Sequence, residues 1–239
     1  MGIYGGVTSD MKINKISVIV GILTLMSFAT NTFATLQLGT ILRNPELNGI
    51  VDSGHSYVSL DKGEISLVAS ILIEEAGFAN SNTFGIFDYS NPLVKLELFA
   101  GGDTPGASIT VTFDFDNNQA WTDTANKVSI GSTFGFYLDS SVRSAGGLFY
   151  SDPVLNIGVD EDLRKALLFD THQILGIAGN PNIVVAFEDL RYPSSDQDYN
   201  DMVVSITANN IVANIAPVPE PATLLLLALG AVMFRKLQT

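Results

Sequence analysis

Between Val184 and Val204 the chain reads VVAFEDLRYPSSDQDYNDMVV, and five carboxylates (Glu188, Asp189, Asp196, Asp198 and Asp201) fall within one short loop. Like charges at that density repel one another unless water or a cation stands between them. From Asp196 onward, oxygen-bearing side chains recur at alternate positions (Asp196, Asp198, Asn200) and Asp201 follows. Alternating oxygen donors of this kind open a calcium-binding loop. The pattern then breaks. Asp201 stands where the sharp turn would need glycine, Thr207 stands where a closing bidentate Glu belongs, and Met202–Ile206 has strand rather than helix character. An EF-hand is therefore excluded. Glu188 and Asp189, just upstream, would supply the missing carboxylates across a hairpin. The candidate Ca2+ ligands are thus Glu188, Asp189, Asp196, Asp198, Asn200 and Asp201. A solvated acidic turn on a secreted protein is the competing reading of the same residues.

Asp114 and Asp116, in DFDNN, form a possible second cluster, although an Asx-rich hairpin explains that run as well. Catalytic chemistry finds little support. The two histidines, His55 and His172, sit in polar surroundings, and no G-x-S-x-G, H-E-x-x-H or P-loop occurs. Cysteine is absent, which removes disulfides, thiolate catalysis and thiolate zinc sites. No catalytic residue is assigned, and the expectation is a protein that is not an enzyme.

The acidic loop needs strands to hold it. Ile65–Ile73, Thr83–Asp88, Val94–Phe99, Ile109–Phe115, Phe134–Leu138, Gly147–Tyr150, Ala166–Phe169, Ile183–Glu188 and Met202–Ala208 are β-prone runs. Gly101-Gly102-Asp103, Pro105-Gly106, Asp116-Asn117-Asn118 and Gly179-Asn180-Pro181 punctuate them with turn chemistry. Thr35–Leu42 alternates loosely, and a short helical hint lies around Glu161–Leu167. Many short strands separated by such turns predict an all-β fold, a single β-sandwich or jelly-roll domain spanning 35–216. Gly85 inside an aromatic strand predicts a bulge or close backbone packing, and Phe134-Gly135-Phe136-Tyr137 repeats that character. Trp121, the single tryptophan, is expected in the core.

The 239 residues carry 12 Lys and Arg against 25 Asp and Glu. Lys12, Lys15, Arg235 and Lys236 flank the apolar ends, and of the acids only Asp10 and Glu220 lie outside the body. The body between Thr35 and Ala216 therefore holds 12 − 4 cations against 25 − 2 acids. Such a field disfavours nucleic acid and anionic membranes, and favours divalent cations.

Both ends carry address signals. Lys12 and Lys15, an apolar run from Ile16 to Phe28 and the small-residue stretch to Ala34 make a signal peptide over 1–34, cut by signal peptidase after Ala34. Met11 is the expected true start. At the other end Pro219-Glu220-Pro221 precedes Ala222–Phe234 and then Arg235-Lys236. Ala222–Phe234 as a helix would be roughly 20 Å long, short against a hydrocarbon core of about 30 Å. It predicts a short transmembrane sorting helix with the basic tail in the cytoplasm and the acidic body outside.

The order Pro-Glu-Pro, apolar helix, basic tail over 217–239 resembles the PEP-CTERM sorting signal of Gram-negative bacteria, including some that make exopolysaccharide. That resemblance implies recognition at Pro219, Glu220 and Pro221 by an exosortase and transient anchoring in the inner membrane. It further implies a final place in the cell envelope or outside the cell. The body resembles a secreted β-domain family known as the domain of unknown function forty-one fourteen. The residues that carry this are NTFGIFD (82–88), FGFYL (134–138), GLFYSD (147–152), and above all Phe187-Glu188-Asp189 with DQDYND (196–201). It implies the β fold, and its acidic motif implies a calcium role. The expectation is a non-enzymatic protein of the extracellular polysaccharide matrix, with exopolysaccharide as a partner. A carbohydrate-binding module is the alternative, using exposed aromatics from Phe84–Phe87, Phe136-Tyr137 or Trp121.

Overall fold

A computed structural model describes residues 36–60, 66–76, 79–160, 164–171 and 182–208. Glycine, asparagine and proline turns cut the chain into eleven strands: β1 (Tyr57–Ser59), β2 (Ser66–Ile73), β3 (Thr83–Asp88), β4 (Asn91–Phe99), β5 (Ser108–Asp114), β6 (Gln119–Thr122), β7 (Thr133–Asp139), β8 (Leu148–Tyr150), β9 (Ala166–Asp170), β10 (Ile183–Phe187) and β11 (Met202–Thr207). One helical turn, α1 (Leu38–Ile41), precedes them, and short 3-10 turns lie at Pro45–Leu47, Ala79–Ser81 and Pro153–Asn156.

The strands form two antiparallel sheets. The five-stranded one runs β1-β7-β3-β4, with β8 also pairing β7. Register shows how β7 serves both: β1 pairs Thr133–Gly135, and β8 pairs Tyr137–Asp139. The six-stranded sheet runs β6-β5-β2-β11-β10-β9. Period-two alternation turns Phe84, Ile86, Phe134, Phe136, Leu138 and Phe149 of the first sheet onto Leu67, Ile71, Val111, Phe113, Val185, Phe187, Val204 and Ile206 of the second. These residues form the core of a β-sandwich, and the described residues lie in one compact unit beginning at Leu36.

β10 is buried along its whole length. Ile183, Val185 and Phe187 face the core between the sheets. Val184 and Ala186 point the other way, where Leu38, Ile41 and Leu47 cover them together with Leu167, Phe169 and Val203. A strand covered on both faces loses its polar alternation, which is why VVAF reads as a continuous apolar run.

The two strand glycines are explained by a reciprocal arrangement. Gly85 pairs Tyr137 and Phe87 pairs Gly135 across β3 and β7. A Cβ on Gly85 would stand 2.7 Å from the Tyr137 ring and 2.2 Å from Leu96 O, and one on Gly135 would stand 2.3 Å from Phe87 Cζ. Each ring lies over the glycine opposite it, and the register shifts between Phe84 and Gly85 against β4.

Four expectations need correction. The helical hint at Glu161–Leu167 gives way to strand where it is described, because Leu167 and Leu168 point to opposite apolar faces at strand period. Within the run expected to alternate, Leu38–Ile41 curls into α1, which sets Leu38 and Ile41 one turn apart on the sheet. Trp121 is not core: it is half-buried on β6, with the Lys127 ammonium 4.2 Å from its ring centroid. Nor do the other aromatics form an exposed row, since Phe84, Phe87 and Phe136 are fully buried and Tyr137 is 5% exposed. The signal segment with Ala34, the tail with Pro219, Glu220, Pro221, Arg235 and Lys236, and His172 lie outside the described residues.

Candidate cation site

β10 and β11 pair antiparallel, Phe187 opposite Met202, so the loop between them starts and ends at the same edge of the sandwich. Glu188 and Asp189 leave β10 at that edge, and Asp201 enters β11. The chain between them is held in place. Tyr199 packs into the outer apolar cluster, and its hydroxyl donates to Arg164 O at 2.8 Å. Ser194 and Ser195 both donate backbone N–H to Arg191 O, at 2.8 and 3.1 Å.

Gln197 and Tyr199 take positive φ, 60° and 57°. For residues with a Cβ this conformation costs about 1–2 kcal/mol each. It aims two backbone N–H groups at one carboxylate: Gln197 N donates to Glu188 Oε2 at 3.3 Å and Tyr199 N to Glu188 Oε1 at 2.5 Å. The Ser195 hydroxyl closes on Oε2 as well. Burial raises the Glu188 pKa, the donors from Ser195 and Tyr199 oppose that shift, and the nearby Asp196 charge adds to it.

Carboxylate oxygens of Glu188, Asp196 and Asp198 all lie within 4.8 Å of one another. Glu188 is fully buried and Asp196 is exposed, so the cluster opens toward solvent on one side. Asn200 stays local: its Nδ2 donates to Asp198 Oδ2 at 2.5 Å and its N–H to Asp198 Oδ1 at 3.2 Å. Asp189 and Asp201 lie apart from this trio. The Asp189 N–H donates to Asp201 Oδ2 at 2.9 Å, and the Asp189 carboxylate accepts from Asn82 Nδ2 at 3.0 Å. Burial pushes Asp201 up to about 8. The charges of Asp189 and Glu188 push the same way, and the Asp189 N–H pulls against them. Among the described residues, no lysine or arginine ion-pairs with any of these five acids.

Asp114 and Asp116 do not gather into a comparable cluster. Asp114 accepts from Asn117 N at 3.2 Å and Asn117 Nδ2 at 2.8 Å, which is an Asx-closed hairpin, and Asp116 faces solvent. Sequence reasoning found the acids but missed Asn82, Ser140 and the Ser195 hydroxyl. Ser140 Oγ donates to Asp189 O at 2.5 Å. Both Asn82 and Ser140 come from the facing sheet, far away in the chain, and no local pattern announces them.

Fold and loop together define a secreted-type β-sandwich whose acidic hairpin folds back over one edge. Residues 110–209 match the family described as Domain of unknown function (DUF4114), and residues 217–236 match the PEP-CTERM protein-sorting motif. The chain thus carries a PEP-CTERM sorting motif behind a body that matches DUF4114 over residues 110–209. The sorting motif marks it as exported, anchored in the membrane before processing, and a substrate for an exosortase. No curated protein and no solved structure matches the chain.

Proposed function

We propose that the exported protein works without catalysis in the extracellular polysaccharide matrix, and that calcium bound by Glu188, Asp196 and Asp198 orders its acidic loop. The observation that supports this is the convergence of their three carboxylates within 4.8 Å. Calcium takes six to eight oxygens at about 2.3–2.6 Å, so oxygens this close fit around one ion with only small adjustment. The buried Glu188 would anchor the ion. Exposed Asp196 leaves the outer side open to water or to carboxylates of an acidic polymer, which the ion would bridge. The test is calorimetric titration of calcium into chelator-treated full-length protein, carried to the millimolar range where extracellular modules bind. An Asp196→Ala/Asp198→Ala variant that binds one calcium ion fewer than the unsubstituted protein is the expected result, and an unchanged stoichiometry would remove this site.

A second reading, a carbohydrate-binding module, keeps one residue. Trp121 is the aromatic from that set which faces outward, half-buried under Lys127. Equal retention of Trp121→Ala and the unsubstituted protein on insoluble polysaccharide would end it.

A further inference from the structure

Glu188 and Asp189 are neighbours in sequence but not in environment. Phe187 faces the core between the sheets and Ala186 faces the outer cluster. Continued past the strand end, that alternation leaves Glu188 with the Ser195–Tyr199 loop and carries Asp189 toward the facing sheet. There Asp189 meets Asn82, just before β3, and Ser140, just after β7. Asp189 is 1% exposed and Asn82 is 0% exposed. Asp201 adjoins them through the Asp189 N–H.

Asp189, fully buried, and Asp201, half-buried, thus share a corner with no basic side chain ion-paired to them among the described residues. An independent observation concerns the amide. Asn82 Nδ2 is engaged with Asp189, while Asn82 Oδ1 is buried and has no hydrogen-bond partner. A buried acceptor left without a donor is destabilising. Asn82 Nδ2 and the Asp189 N–H are donors in this corner, yet Asn82 Oδ1 and the remaining carboxylate oxygens exceed what they satisfy, and such oxygens make a ligand set for a hard cation.

We infer that Asn82 Oδ1, Asp189 and Asp201 hold a second divalent cation of the calcium type, inward of the Glu188, Asp196 and Asp198 position. Ligands as buried as Asn82 and Asp189 favour calcium over magnesium, which gives up its water reluctantly. Because Asn82 leads into β3 of one sheet, while Asp189 follows β10 and Asp201 precedes β11 of the other, this ion ties the two layers together at their edge. The inference extends the calcium reading from one ion to two, and each ion has its own variant.

Calorimetry with calcium on chelator-treated full-length protein should give two ions. The Asp196→Asn/Asp198→Asn variant should keep one, and Asn82→Ala should also keep one. A single ion in the unsubstituted protein that survives Asn82→Ala but not the Asp196/Asp198 change overturns the inner site and leaves the outer reading standing. A single ion with the reverse sensitivity overturns the outer reading alone. No binding overturns both. Should Asn82→Ala fail to fold, Asn82→Asp serves: a third buried carboxylate should lower the melting temperature in chelator, and calcium should restore it. Failure of calcium to restore it overturns the proposal.

Discussion

The backbone N–H of Asp189 donates to the Oδ2 of Asp201 at 2.9 Å, fastening the end of β10 to the residue that begins β11. Asp201 thus has two roles, acceptor and charge, and two substitutions separate them. Asp201→Ala leaves the Asp189 N–H buried and unpaired, an expected loss of about 1–3 kcal/mol in urea unfolding. Asp201→Asn keeps an acceptor and removes the crowded charge. In chelator it should match or exceed the unsubstituted protein in stability, while in calcium it should lose the inner ion. Equal losses for both substitutions in chelator would contradict this division.

Lys165 lies with its ammonium 2.8 Å from Asp160 Oδ2 and 2.8 Å from Leu190 O, and both side chains of the ion pair are fully buried. The same Asp160 carboxylate accepts the Tyr192 N–H at 3.0 and 3.1 Å, so the pair fixes the start of the acidic loop. Truncating either partner strands a buried charge, and Asp160→Ala or Lys165→Ala should each cost about 3–5 kcal/mol. A double-mutant cycle in urea should show strong coupling, with the double variant losing much less than the sum. Additive losses would mean that the pair acts as two separate residues.

His55 has its pKa lowered to about 4 by burial, with the Asp170 charge acting in the opposite direction, and its Nδ1 is buried without a partner. The folded state therefore favours neutral imidazole, while the unfolded chain takes up a proton near pH 6.5. Stability from this group is complete above about pH 6.5 and is lost as the pH falls toward 4. Between pH 7 and 5, the unsubstituted protein should lose more melting temperature than His55→Gln does. Identical pH profiles would remove His55 from the acid response.

The facing glycines of β3 and β7 make a sharper prediction than their strand context alone. A methyl at Gly85 would meet backbone at 2.2 Å from Leu96 O, which cannot swing aside as a side chain can. Gly85→Ala should destabilise by about 1–3 kcal/mol. Gly135→Ala meets the Phe87 ring instead, and combining it with Phe87→Leu should recover part of its loss. If Gly85→Ala melts with the unsubstituted protein, the close approach is not a constraint.

Much of this architecture is legible in the residues themselves. The bounds of Thr83–Asp88 are legible to the residue, because Asn82 and the Asp88–Ser90 turn bracket an aromatic run. Asp88 closes that turn with bonds from Ser90 N and Asn91 N, each 2.9 Å. Ala166–Phe169 is legible as a strand too and runs to Asp170, although Ala-Leu-Leu-Phe suits helix and strand alike until α1 supplies a second apolar face. β1 and β6 were too short to register as a period. In the loop, composition reveals the acids, but which acids meet depends on side. The division of Glu188 from Asp189 follows from strand pleating, and Asn82 enters only through the stacking of the sheets.

The cover laid by Leu36–Ile50 over β9, β10 and β11 bears on export as well as on packing. Leu36, Leu38 and Ile41 shield Phe169, Val184 and Ala186, while at the far end Ala208 N–H bonds to Asn182 Oδ1 at 2.7 Å. The folded body therefore sets its own limits for any enzyme that trims it. A peptidase cutting past Leu36 would peel a lid from greasy strands, and one cutting before Ala208 would unpick the edge of a central strand. A body that keeps both sets of contacts is one whose chain is intact from Leu36 to Ala208.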